Sequence, residues 1–169
     1  MGGLTAENEA LRAQFGLFGT QIQSTPAKVL GVSNYLIILP EKPVKVGSTV
    51  TLGGNFVGVV VDTGSKLAKV RLPQDPASHI PAVVTTPSGT VYGTLSGRYD
   101  KTQVLEKVEK TEIVPTGAVV QTSGVESAFP GLVLGKVVKV EKNDMVAFLD
   151  IEVEELVDFA KLSTVFVIQ

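Results

Sequence analysis

Gly47-Ser48-Thr49-Val50-Thr51-Leu52-Gly53-Gly54 and Gly117-Ala118-Val119-Val120-Gln121-Thr122-Ser123-Gly124 overlay at an offset of 70 residues. Each opens on glycine, passes through residues that suit a pleated surface and closes on small turn residues, which reads as a strand entering a hairpin. A second matching pair follows, Gly58-Val59-Val60-Val61 and Gly135-Lys136-Val137-Val138, with seven extra residues inserted before the second copy. Both copies continue with a charged turn and an apolar strand, Leu67 to Leu72 and Met145 to Ile151. Because the order of several elements is kept, the chain reads as two related β-domains. The boundary is expected at the Pro87-Ser88-Gly89 loop, giving domains over 26–88 and 89–169.

Outward from these blocks the pattern stays β-rich, in short runs bounded by Gly, Pro, Asn, Asp and Ser. Strands are expected at Lys28 to Val32, Tyr35 to Leu39, Thr49 to Leu52, Phe56 to Asp62, Ala68 to Leu72, Ala82 to Thr85, Thr90 to Leu95, Val104 to Val108, Ala118 to Thr122, Leu132 to Val140, Met145 to Val153 and Thr164 to Ile168. Ala147, Leu149, Ile151 and Val153 alternate with Phe148, Asp150 and Glu152, the period of a strand with one buried and one wet face. With about six strands per copy, a small closed barrel is the natural solution, since closure removes unpaired edges; a single β-sandwich is the alternative.

Residues 1–25 break this pattern. Leu4, Asn8, Leu11, Phe15 and Phe18 recur at the spacing of a coiled-coil seam, until Gly16 and Gly19 weaken the helix and Pro26 ends it. A surface helix packed on the domain is the other reading of this stripe. Met1-Gly2-Gly3 running straight into a helical pattern suggests that the natural N-terminus has been removed. The fold class expected is therefore mainly β: two tandem six-stranded barrels behind a short coiled-coil helix.

Composition excludes several functions. The 169 residues include no cysteine, so thiolate metal sites and cysteine nucleophiles are out, and a formal charge of -2 offers no basic field for nucleic acid. No apolar run approaches the length of a membrane-spanning helix. A double-barrel hydrolase would need a converging triad. His79 is the only histidine, Ser123 is the best serine candidate, and Asp62 or Asp75 could supply the acid. Yet Ser123 stands where the first copy has Gly53, as expected of a turn position. The acids Asp150, Glu152, Glu154, Glu155 and Asp158 read as a solvated face rather than a calcium site. No phosphate cradle is present, nothing selects a glycosidase-like carboxylate pair, and no cofactor is expected.

Val119-Val120-Gln121-Thr122-Ser123-Gly124, Phe129-Pro130-Gly131-Leu132-Val133-Leu134-Gly135-Lys136-Val137 and the ending Glu152 to Ile168 together resemble the bacterial rod shape-determining MreC family. Ala27-Lys28-Val29, Gly54 to Val61 and Leu72-Pro73-Gln74-Asp75 match more weakly, and Glu7 to Arg12 is similar to the end of that family's coiled coil. Two departures mark a divergent member. Gly117-Ala118 stands where the family usually has Gly-Asp, and Phe129-Pro130-Gly131 is one residue shorter than the family's Phe-Pro-x-Gly.

The resemblance implies a single-pass inner-membrane protein, its transmembrane helix absent here, with a coiled coil and two β-barrels on the periplasmic face. It implies a non-enzymatic scaffold of the cell-wall elongation complex that self-associates as a dimer or larger assembly. Its implied partners are MreD, RodA and the class B penicillin-binding transpeptidase that works with RodA. Phe129 is the residue expected to contact a partner. Gly54, Gly58, Thr122, Ser123, Gly124, Pro130, Gly131 and Gly135 are expected to serve turns and packing. Two rivals are a periplasmic serine hydrolase using Ser123 and His79, and an adaptor subunit of an export complex.

Overall fold

The computed structural model describes residues 24–98, 102–124 and 130–168. Leu4, Asn8, Leu11, Phe15, Phe18 and Phe129 lie outside the described residues. Twelve strands are found: β1 (Ser24–Val32), β2 (Tyr35–Pro40), β3 (Thr49–Leu52), β4 (Asn55–Thr63), β5 (Ala68–Arg71), β6 (His79–Thr86), β7 (Gly89–Gly97), β8 (Gln103–Glu106), β9 (Val119–Thr122), β10 (Val133–Glu141), β11 (Asp150–Glu154) and β12 (Thr164–Ile168). A single 3-10 turn, Phe159–Lys161, is the one helical element among the described residues, and Asp158 caps it by accepting from the Ala160 N–H. The chain is mainly β, with a strand at each of the twelve expected places.

The domain boundary falls elsewhere than expected. One compact unit holds β1 to β5 together with β12; the other, 73–156, holds β6 to β11. Pro87-Ser88 is the tip of the β6–β7 hairpin, whose register runs unbroken from His79↔Ser96 to Thr86↔Gly89. Thr86 Oγ1 donates to the Gly89 carbonyl at 2.8 Å across that tip. Turn residues mark a change of direction, whether it joins paired strands or separate domains, so the loop signal was sound and its interpretation was not.

In the first unit each strand pairs antiparallel with the next around a cycle, β1–β12–β3–β4–β5–β2 and back to β1. This is a closed six-stranded barrel, which excludes an open sandwich for this unit. Its core is aliphatic, with Leu36, Ile38, Val50, Val57, Val70 and Val165 fully buried and Phe159 closing over them. Closure depends on β12, which arrives from the far end of the chain and pairs through Thr25↔Val167 on one side and Val167↔Val50 on the other. The remaining strands pair in the order β6–β7–β8–β11–β10–β9 and β9 again with β6. Leu95, Leu105, Val120, Leu132 and Ile151 are buried within that unit.

The duplicated blocks adopt the same local structure. Gly47 and Gly117 take φ of +95° and +88°. Gly47 N–H donates to the Val60 carbonyl at 2.8 Å, and Gly117 N–H to that of Val137 at 2.7 Å. The return bonds, Val60 to Ser48 and Val137 to Ala118, are equally matched at 2.9 and 2.8 Å. Val50 lies opposite Gly58, and Val120 opposite Gly135. A Cβ on Gly58 would strike the Arg71 carbonyl and Val70; one on Gly135 would strike the Glu154 carbonyl and Val153. Both glycines are therefore required by close backbone approach.

This register also corrects the last part of the overlay. Val60 pairs with Val70 and Val137 with Val153, so the counterpart of β5 in the second copy is β11 rather than Met145 to Ile151. Residues 145–149 are turn and bridge, not strand. Leu149, Ile151 and Val153 are buried as the alternation predicts, but Ala147 is exposed because the strand has not yet begun. Gly53, at φ +62°, forms the expected tight turn between Leu52 and Asn55.

Candidate functional site

The motif residues build the base of the β9–β10 connection. Thr122 ends β9 with its side chain buried, and its Oγ1 accepts from the Leu132 N–H at 3.0 Å. Thr122 N–H donates to the Leu132 carbonyl at 2.8 Å, and Gly131 N–H to the Thr122 carbonyl at 2.9 Å. Ser123 N–H donates to the Pro81 carbonyl, tying the connection to β6. Gly124 and Gly131 take φ of +81° and +82°, and a Cβ on Gly124 would meet Pro130. Thr122→Val keeps the shape but leaves a buried Leu132 N–H without its acceptor, so a loss of about 1–3 kcal/mol is expected in urea denaturation.

Of the residues a hydrolase would use, His79, Asp75 and Asp62 each have other neighbours. His79 Nδ1 lies 2.9 Å from Ser96 Oγ on β7, and Ser96 is only 2% exposed, which shields its hydroxyl from a substrate. Asp75 uses its carboxylate on its own turn, accepting from the Ala77 N–H at 2.8 Å. Asp62 sits on β4 of the first unit, opposite Lys69. Several of the acidic residues are likewise occupied. Asp150 pairs with Arg98 at 3.1 Å, and Glu155 accepts from Gln103 at 3.2 Å. Glu152 and Glu154 lie opposite Lys139 and Lys136 across β10–β11, a favourable cross-strand arrangement of opposite charges. Glu141, hydrogen-bonded to Lys139 at 3.0 Å, holds that ammonium above the usual lysine value. No cluster of three metal-ligating side chains is found among the described residues.

Sequence reasoning missed an exposed apolar surface on the second unit. Two connections run side by side there, 107–118 and 142–149, joined by the Glu109↔Phe148 bridge and by Lys110 N–H donating to the Ala147 carbonyl at 3.2 Å. Lys110 Nζ also donates to the Asp144 carbonyl, and the Asn143 side chain accepts from the Met145 N–H at 2.9 Å. These bonds hold Met145 89% exposed, Ile113 74% and Phe148 46%, with Val146 half exposed beside them. Single exposed apolar residues are ordinary, but here four lie on two connections that are bonded to each other. The sequence carries the signal in Met145-Val146-Ala147-Phe148 directly after Asn143-Asp144, an apolar run that also fits a strand.

Residues 40–169 match the family model described as rod shape-determining protein MreC, barrel core. The chain belongs to the MreC family. A solved MreC structure superimposes with a TM-score of 0.81 at 19% identity, covering 98% of this chain and 99% of the other. MreC from Lysteria monocytogenes gives 0.77 at 23% identity, over 99% of this chain and 86% of that one. A complex between Penicillin-Binding Protein (PBP2) and MreC from Helicobacter pylori contains a chain that matches at 0.68 and 12% identity, over 88% and 99%. No curated protein sequence matches the chain.

At such low identities the shared property is the MreC fold. Within this chain, the Thr122 and Gly135 contacts need a buried hydroxyl acceptor and a position without a Cβ.

Proposed function

We propose that this MreC chain is a non-enzymatic scaffold of the cell-wall elongation machinery, built from two tandem six-stranded barrels of one repeated design. It acts on the periplasmic face of the inner membrane, tethered by a transmembrane helix that precedes residues 1–25. The observation that carries the reading is the exposure of Ile113, Met145, Val146 and Phe148 on two bonded connections in a chain of the shape-determining family. A class B penicillin-binding transpeptidase is the partner proposed for that surface, in keeping with the Helicobacter pylori MreC solved in complex with PBP2. Contacts with MreD and RodA belong to the same proposal. So does self-association through the seam of Leu4, Asn8, Leu11, Phe15 and Phe18.

The Ser123 and His79 alternative is disfavoured by the pairing of His79 with buried Ser96. The test is binding of the transpeptidase ectodomain to immobilised chain. Met145→Asp combined with Phe148→Asp is expected to weaken binding by at least about tenfold, the loss of one interface hot spot, with an unchanged circular dichroism spectrum. Phe129→Ala, measured in parallel, is expected to weaken binding as well. Unchanged affinity in the double variant removes the surface from the proposal, and unchanged affinity in Phe129→Ala removes that residue.

A further inference from the structure

The first barrel carries an open groove of about 920 Å³, bounded by β1, the β2–β3 connection and the β4–β5 turn. Its walls hold two apolar anchors, Leu39 at 38% and Leu67 at 43% exposure, with Pro40 between segments. Three lysines line it, Lys28 from β1, Lys42 from the connection and Lys66 from the turn, against one carboxylate, Glu41. None of the three lysines is ion-paired among the described residues. The volume lies at the upper end of the range for ligand sites.

We propose that this groove binds an extended acidic peptide segment of a protein partner, which goes beyond the scaffold reading and concerns a different unit. The charge balance selects an anion. The lysines come from three separate segments around an apolar wall, which suits a chain with carboxylates spread along it and apolar residues between them. Leu39 lies directly opposite Lys28 on the neighbouring strand, so the two side chains stand on one face, and a peptide carrying both acids and leucines can meet each. Strand addition is excluded here, because Lys28 is already paired with Leu39 on one side and Thr164 on the other. Recognition must therefore run through side chains. An anionic lipid surface fits less well, since the chain's net charge of -2 repels it and Glu41 stands in the groove itself.

The test is fluorescence polarisation of a labelled short peptide alternating glutamate and leucine, with a lysine–leucine peptide and phosphatidylglycerol vesicles as comparisons. The acidic peptide alone is expected to bind. Its affinity should fall as salt is raised, and by at least about tenfold in Lys42→Glu/Lys66→Glu. Lys42→Ala/Lys66→Ala should lie between that variant and the parent chain. Absence of binding, equal binding of the basic peptide, an affinity indifferent to the lysine variants, or binding of vesicles in place of the peptide each overturns the proposal. None of these outcomes bears on the Met145 and Phe148 surface, which lies on the other unit.

Discussion

Gly135→Val is expected to destabilise the second unit by about 3–5 kcal/mol, a large share of the 5–15 kcal/mol that holds an ordinary domain. The new Cβ would collide with the Glu154 carbonyl and approach Val153 Cγ1 to 2.9 Å, and both belong to the paired strand β11. Neither neighbour can swing aside as a flexible side-chain end would, because one is backbone and the other is a buried β-branched residue. Either β10 and β11 separate, breaking their ladder, or the strands bend and strain the core. Gly58→Val should do the same to the first unit through Arg71 and Val70. Gly31→Ala is the matched control: no atom lies within 4 Å of its added Cβ, so its effect should stay within about 0.5 kcal/mol. Urea midpoints for the three variants check the prediction. An unfolding midpoint for Gly135→Val close to that of Gly31→Ala would mean that β10 and β11 do not approach as described.

A chain ending at Ser163 should lose the first barrel while keeping the second unit. Val165, Phe166, Val167 and Ile168 of β12 are all buried. At about 1.5–3 kcal/mol for each such side chain, their removal takes away free energy comparable to a whole domain's stability. It also strips β1 and β3 of a hydrogen-bonding neighbour, leaving two exposed edges open to aggregation. No strand of residues 73–156 depends on β12 for pairing. Amide hydrogen exchange should therefore show protection lost across β1 to β5 and retained across β6 to β11. Protection retained in β1 and β3 would contradict the closed pairing.

Much of this architecture was legible because it is local. Alternation of buried and exposed residues set the strands, and Gly53-Gly54 marked a tight turn before any strand was paired. The errors share one cause. Pro87-Ser88 and Met145 to Phe148 each carry a correct local signal, a turn and an apolar run. Whether a turn closes a hairpin or parts two domains depends on distant partners. Whether an apolar run is buried depends on whether another segment covers it.

The candidate site was less legible than the fold for the same reason. Thr122 was singled out from a motif, but its role as acceptor for the Leu132 N–H follows from the β9–β10 register. The exposed face of Ile113, Met145 and Phe148 exists because two connections separated by about thirty residues bond to each other. The three lysines of the groove are similarly scattered in the chain.

By itself, the sequence of this protein determined that it is built of short paired strands from a duplicated Gly-Val-rich block, since pleat periodicity and turn glycines act over a few residues. The tertiary structure alone decided that the last strand closes the first barrel, where the two units divide, and which apolar and cationic side chains gather on the surface. Those outcomes are set by ladder hydrogen bonds and burial between residues far apart in the chain, and local spacing carries no record of them.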